Sequence, residues 1–217
     1  MLVAVIPAYN EGSRIRDVVV ETKKYVDLVV VVNDGSQDNT VSQASVKDVI
    51  VLSHIINLGK GAAARTGCDW AVENGATQIV LLDGDGQHEA QDIPRFVKEL
   101  GKHDIVFGRR KKSKNMPGLY RVGNKGLNVL SKIFFGITLQ DSQCGFRAMN
   151  ASVYKSVRWD ASDYAMESEM IVRAGIKNLS HTEISIRTIY HDRYKGTGVI
   201  DGVKILVNML KWRLTMW

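Results

Sequence analysis

The chain has 217 residues, 45% of them hydrophobic and 24% charged, which suits one substantial α/β domain and excludes a disordered or low-complexity protein. Its net charge of +6 fits nucleic acid, an anionic membrane surface or phosphorylated substrates as partners. No apolar run approaches the roughly 18 residues of a membrane span, and "MLVAVIPAYNE" breaks at Pro7 too early for a signal peptide. The two cysteines, Cys68 and Cys144, lack metal-ligand spacing, and so sparse a pair fits a reducing compartment.

In chain order, Leu2–Ile6, Leu28–Val32, Val49–Leu52, Ile79–Leu82 and Asp104–Gly108 read as strands, being short, continuous and β-branched. Helical stretches separate them at Ser13–Tyr25, Asp38–Ser45, Gly61–Asn74 and Gln91–Leu100. This alternation predicts a doubly wound, mostly parallel sheet with helices on both faces, whose ligands bind beyond the carboxyl ends of the strands. The second half is less regular, with helices over Gly118–Phe135, Ser152–Val157 and Glu167–Ala174, a strand in "TEISIRTIY" and a final helix over Val199–Trp217. With no linker or repeat, the chain reads as one domain over 1–198 and a C-terminal helix over 199–217.

The polar clusters of the first half all follow strand ends. In "LLDGDGQH", Asp83 and Asp85 sit one residue apart. In a dry crevice they repel unless a cation lies between them or one is protonated, and such oxygen donors suit Mg²⁺ or Mn²⁺ together with substrate phosphates. A plain polar turn is the alternative. Gln87 offers another oxygen, whereas His88 reads as a cap or a packed residue. In "VVVVNDGSQDNT", Gly35 serves the turn and Asp38 caps a helix, which leaves Asp34 as a strand-tip carboxylate able to accept from a base N–H. In "IPAYNEGSRI", Pro7 stops the strand and Glu11 is placed to hold ribose hydroxyls. "NLGKGAAARTG" puts Lys60 near a helix N-terminus, a place for phosphate, although its small residues also permit close helix packing.

The segments "VAVIPAYNE", "VVNDGSQDNT", "NLGKGAAARTG", "LLDGDGQH" and "DSQCGFRAMN" together resemble, in order, glycosyltransferase family 2 with its GT-A fold. Within it the chain looks like the polyprenyl-phosphate hexose synthases, the dolichyl-phosphate mannose and glucose synthase group. The resemblance implies a metal site of Asp83, Asp85 and Gln87. It implies nucleotide-sugar contacts from Pro7, Tyr9, Glu11, Asp34, Lys60 and Asp83. It assigns Arg109, Arg121 and Lys125 to the acceptor phosphate, and it makes Asp85 and Arg193, the latter in "HDRYKGTG", the catalytic pair. Two positions depart from the family pattern: Asn33 replaces a common Asp, and Gly198 replaces a common Ser.

The implied activity is inverting transfer of a hexose from a nucleoside-diphosphate sugar to a polyprenyl phosphate, with Mg²⁺ or Mn²⁺ as cofactor and no nucleic-acid partner. A hydroxyl acceptor needs a general base, and the Glu-Asp pair and Gln-x-x-Arg-Trp segment of polysaccharide-forming relatives are absent. A phosphate monoester, with a second pKa of about 6, is already ionised. The remaining carboxylate pair, Glu167 and Glu169 in "ESE", reads as readily as a solvated helix start. Transfer to a saccharide or protein, and a non-catalytic nucleotide-binding or signalling module, are the alternatives. A lipid acceptor places the protein at the cytoplasmic face of a membrane, as a peripheral protein. The C-terminal helix carries a polar stripe of Lys204, Asn208, Lys211 and Thr215, and its apolar remainder, with Trp212 and Trp217, suits a membrane surface, the domain itself or a second copy in a homodimer.

Overall fold

The computed structural model describes residues 1–111, 126, 129, 131–189 and 199–215, with 199–203 and 205 as backbone only. Seven strands form one sheet: β1 (Leu2–Ala8), β2 (Leu28–Asn33), β3 (Val49–Ser53), β4 (Gln78–Leu81), β5 (Ile105–Arg110), β6 (Arg147–Asn150) and β7 (His181–Ile186). Their spatial order is β3-β2-β1-β4-β6-β5-β7. All pairings are parallel except those of β6, which runs antiparallel between β4 and β5. The helices are α1 (Ile15–Thr22), α2 (Thr40–Ala44), α3 (Lys60–Glu73), α4 (Ile93–Leu100), a helical piece at 131–135 (α5), α6 (Ala151–Val157), α7 (Met166–Ile176) and α8 (Val199–Thr215).

Continuous apolar strands arise because both sheet faces are covered. Along β1, Val3 and Val5 enter a core shared with α3, α7 and α8, whereas Ala4 and Ile6 enter the opposite core with α1 and α4. Helix α3 comes close to the sheet at Gly67, where a Cβ would lie 2.4 Å from a Val5 methyl.

Strand β6 was not expected, because "RAMN" is short, carries an arginine and lacks β-branched residues. Its burial explains the arginine. Arg147 is 1% exposed and holds three backbone carbonyls: Nε donates to Cys144 (2.9 Å), one terminal nitrogen to Glu167 (2.7 Å) and the other to Ser142 (2.9 Å). Its guanidinium also lies over the Phe107 ring. Strand β7 begins and ends earlier than expected, aligned along β5 from Ile105↔His181 to Arg110↔Ile186. The expected helix over Gly118–Phe135 is seen at 126, 129 and 131–135, and its other residues lie outside the described set.

Helix α8 packs against α7, with Met209 and Trp212 buried in the core. Trp212 is therefore a packing residue and not a membrane contact, and Trp217 lies outside the described residues. Leu206, Leu210 and Leu214, one turn apart, and Val207 beside them stay exposed. Among the described residues no helix is long and apolar enough to cross a membrane.

Replacing Arg147 with Met should leave three buried carbonyls without their donor and cost about 3–5 kcal/mol of unfolding free energy in urea titrations. A change below about 1 kcal/mol would show that water or local rearrangement serves those carbonyls equally well.

Candidate active site

Loops at the carboxyl edge of the sheet enclose a cavity of about 600 Å³, within the range of about 300–1,000 Å³ usual for small-molecule sites. Pro7, Tyr9 and Glu11 reach it from the end of β1, Asp34 from β2, Lys60 from the start of α3, and Asp83, Asp85, Gln87 and His88 from β4. Arg110 enters from β5, Gln143 and Gly145 from the loop before β6, and Asp163, Tyr164 and Glu167 from the approach to α7.

Neighbouring loops brace each other. Gly12 N–H donates to Asp38 Oδ2 (2.9 Å), Glu11 N–H to Thr40 Oγ1 (2.8 Å) and Gln37 N–H to Asn10 Oδ1 (2.9 Å). Asp38 thus ties the β2–α2 loop to the β1–α1 loop through Oδ2, while its Oδ1 accepts from Thr40 N–H (2.9 Å) and serves the start of α2 as the sequence suggests. Asn33 accepts from Ser36 N–H (3.0 Å), a turn role that needs no negative charge. Gly35 has φ of 71°, and a Cβ there would come within 2.5 Å of the Ile56 carbonyl carbon.

Asp34 is buried and already occupied. Leu58 N–H (2.9 Å) and Gly59 N–H (2.8 Å) donate to it, and His54 Nδ1 lies at 2.7 Å. It pins the loop that delivers Lys60. A carboxylate can accept about four hydrogen bonds, so one more from a ligand is compatible with this geometry. The start of α3 is less open to phosphate than its sequence implied. Ala62 N–H donates to the Ser162 carbonyl (3.1 Å), and a Cβ at Gly59 or Gly61 would strike the backbone of residues 161–163. These glycines permit close helix–loop contact, and the Lys60 side chain is what enters the cavity.

The Lys60 ammonium lies 2.6 Å from Asp83 Oδ1 and 2.8 Å from Glu167 Oε1. Burial opposes its charge, but Asp83 and Glu167 outweigh burial and raise its pKa above the ordinary lysine value. Burial likewise works against the Asp83 carboxylate, and Lys60, with His88 and Arg110 further off, holds its pKa below the usual range. Asp83 and Asp85 line the same cavity, but Lys60 bridges Asp83 to Glu167 rather than lying between the two aspartates. Asp85 accepts from Gln87 N–H (3.0 Å) and Gln87 Nε2 (2.8 Å), so Gln87 Oε1 is the atom turned elsewhere. A Cβ on Gly145 would sit 2.4 Å from Asp83 Oδ2, so only glycine fits beside this carboxylate. His88 packs on Phe146, and burial lowers its pKa despite Asp83 and Asp85.

Asp83, Asp85 and Gln87 Oε1 form a set of hard oxygen donors around residual negative charge, which fits Mg²⁺ or Mn²⁺. Among the described residues no third His, Cys, Asp or Glu joins them as a protein cage. Further ligands would be substrate oxygens or water, as Mg²⁺ prefers.

Glu167 and Glu169 are not a solvated helix start. Both are buried in the first turn of α7. Glu167 pairs with Lys60, while Glu169 accepts from Asp160 N–H (3.0 Å) and Ala161 N–H (2.9 Å) and pairs with Arg173. Of the basic set, Arg121, Lys125 and Arg193 lie outside the described residues. Arg109 does not line the cavity. Strand alternation sends Arg110 there instead, held by Asp141 through Nε (2.7 Å) and a terminal nitrogen (2.9 Å). The sequence reading missed Arg110, Asp141 and Gly145, although period-two alternation along "IVFGRR" singles out one arginine of the pair. Cys68 and Cys144 are free buried thiols, and burial pushes Cys144 up to about 12.

The model of glycosyl transferase family 2 matches residues 3–158. The UDP-N-acetylglucosamine–dolichyl-phosphate N-acetylglucosaminyltransferase of Methanococcus voltae is 33% identical, over 99% of this chain and 96% of that protein. The undecaprenyl-phosphate mannosyltransferase of Micrococcus luteus is 28% identical, over 98% and 94%. Among solved structures, glucosyl-3-phosphoglycerate synthase from Mycobacterium tuberculosis, in complex with Mn²⁺, uridine diphosphate and phosphoglyceric acid, has a TM-score of 0.77. It is 17% identical and is matched over 99% of this chain and 78% of its own.

The Arg110–Asp141 pair supplies a pH test. Burial raises the Asp141 pKa, but the Arg110 hydrogen bonds dominate and leave it below the ordinary carboxylate value, itself about 3.9. A depressed folded-state pKa contributes stability above the unfolded value, lost as pH falls through the folded one. Asp141→Asn should cost about 1.5–3 kcal/mol at pH 7. In denaturant titrations the gap to wild type should hold from about pH 8 to 5 and close below about pH 4.

Proposed function

The chain belongs to glycosyltransferase family 2, and from that membership we propose that it transfers a hexose, with inversion, from a nucleoside-diphosphate sugar to a polyprenyl phosphate such as dolichyl phosphate. The observation that carries the acceptor assignment is the engagement of both "ESE" carboxylates. Glu169 is held by Arg173 and two backbone N–H groups, and Glu167 is paired with Lys60 through Oε1, so the pair serves internal cations rather than standing as a free carboxylate base. An ionised phosphate oxygen needs positioning and charge neutralisation only. The relatives named for dolichyl- and undecaprenyl-phosphate transfer support the same reading at nearly full length.

In this reading Glu11 and Asp34 hold the nucleoside, Pro7 and Tyr9 wall its pocket, and Lys60 sets positive charge beside the diphosphate. A divalent cation held by Asp83, Asp85 and Gln87 supplies Lewis-acid neutralisation of the departing diphosphate. Arg121 and Lys125 steer the lipid phosphate, Arg110 replacing Arg109 as the β5 arginine at the cavity, and Arg193 contacts the donor phosphates. The phosphate oxygen forms a bond to the anomeric carbon as the bond from that carbon to the diphosphate oxygen breaks. Arg110, fixed by Asp141, adds positive field at the acceptor side of the cavity.

A bilayer-borne acceptor calls for contact with a membrane, and α8 fits this as a peripheral element at the cytoplasmic face. Met209 and Trp212 anchor it to the domain, while Leu206, Val207, Leu210 and Leu214 remain exposed, with Lys204 and Lys211 alongside. An apolar ridge edged by lysines matches an anionic lipid surface.

With purified full chain, polyprenyl phosphate and a panel of UDP- and GDP-hexoses, Arg121→Ala should raise the KM for lipid phosphate by about 10- to 100-fold. It should leave nucleoside-diphosphate affinity within about twofold, because a lost charge-assisted contact acts on the group it touched. Efficient glycosylation of free sugars without lipid would replace the acceptor assignment.

Flotation with anionic liposomes tests the surface. Leu210→Glu and Leu214→Glu should each reduce binding while leaving thermal stability near wild type, because both side chains are exposed. Unchanged flotation would move the membrane contact away from α8.

A further inference from the structure

Lys60 touches both the first aspartate of the Asp-Gly-Asp turn and the buried start of α7. Its ammonium lies 2.6 Å from Asp83 Oδ1 and 2.8 Å from Glu167 Oε1, with the Tyr164 ring centroid 5.8 Å away. One unit of positive charge therefore sits between two carboxylates, with Asp85 a further carboxylate in the same cavity. The main chain around it is pinned on both sides. Gly59 N–H donates to Asp34 Oδ2 (2.8 Å), and Trp159 Nε1–H donates to the Gly61 carbonyl (2.8 Å).

A divalent cation on Asp83 would compete with this ammonium for the same carboxylate, and the two cations would repel at contact distance in a partly dry cavity. Arg110 also bears on Asp83, but it is tied to Asp141 by two hydrogen bonds. Lys60 is free of such a tie: its partners are the two carboxylates themselves. Glu167 is the partner that stays when Asp83 turns to metal.

Resting on the metal assignment above, we propose that Lys60 is a resident counter-ion that exchanges partners. Before ligand arrives it neutralises Asp83 and Glu167. When a divalent cation takes Asp83, Glu167 retains the ammonium inside the cavity, and the ammonium's freed valence turns to the incoming diphosphate. Metal alone then binds weakly, because it must displace a cation. Metal and nucleoside diphosphate bind with positive coupling, because the diphosphate gives the displaced ammonium a new anion. The site thus resists loading with metal in the absence of donor.

Calorimetry of Mn²⁺ binding to the full chain, alone and with saturating UDP or GDP, reads this directly. In wild type the nucleoside diphosphate should tighten Mn²⁺ by about 10- to 100-fold. In Lys60→Met, Mn²⁺ alone should bind about five- to tenfold more tightly than to wild type, and the coupling should shrink towards unity. Lys60→Arg should keep the wild-type order. Lys60→Gln, checked for folding by circular dichroism, repeats the test with a different neutral side chain. Mn²⁺ binding to the neutral variants that is equal to or weaker than wild type would overturn the exchange and leave the metal assignment standing. Absence of Mn²⁺ binding to wild type under both conditions would overturn both. Without any variant, the Lys60 side-chain NMR signal should move as Mg²⁺ is added, and a fixed signal with Mg²⁺ bound would also overturn the exchange.

Discussion

One buried guanidinium organises the cavity. Among the described residues Arg147 has no carboxylate in salt-bridge contact, and it gathers the carbonyls of Ser142, Cys144 and Glu167. Burial lowers its pKa, with the Glu167 charge acting in the opposite sense. Those three carbonyls belong to the loop that carries Gly145 and to the first turn of α7. Arg147 thereby sets Gly145 against Asp83 and brings Glu167 to Lys60. A charge placed in a core is costly unless its hydrogen bonds are satisfied, so the loop cannot relax without leaving a cation and several carbonyls stranded.

The antiparallel strand that carries Arg147 is the second constraint. A sheet of parallel strands alone would run from β4 directly to β5. Inserting β6 between them pairs Leu81 and Phe107 each with Arg147. The polar turn after β4 thus meets the loop before β6, and the acidic turn acquires a wall. The cations that reach the cavity are each matched by carboxylates: Lys60 by Asp83 and Glu167, and Arg110 by Asp141. Such pairing fixes the position of both cations within the site.

Helix α8 divides its apolar residues between two solvents. Met209 and Trp212 join the core, while Leu206, Leu210 and Leu214 form a row facing outward. Amphipathicity in the sequence showed that the helix had a polar stripe but left Trp212 open between a membrane surface, the domain and a second copy; it is an interior residue. Periodicity reports that a face is apolar and leaves open what covers it.

The sequence by itself determined the doubly wound architecture, since β-branched runs of four to six residues alternating with amphipathic stretches have few other solutions. It also singled out strand-end residues that come together: Pro7, Tyr9, Glu11, Asp34, Lys60, Asp83, Asp85 and Gln87 all line one cavity because parallel strands deliver their carboxyl-terminal loops to one edge. Only the tertiary structure decided contacts between residues distant in the chain. Nothing local in "RAMN" marks a strand whose arginine is buried, or distinguishes Arg110 from Arg109 before β5 is placed in its sheet. Nothing local in "ESE" shows that Glu167 meets a lysine more than a hundred positions earlier. Those roles depend on which face a side chain occupies and on what charge lies opposite, quantities that exist only once the sheet has brought the loops together.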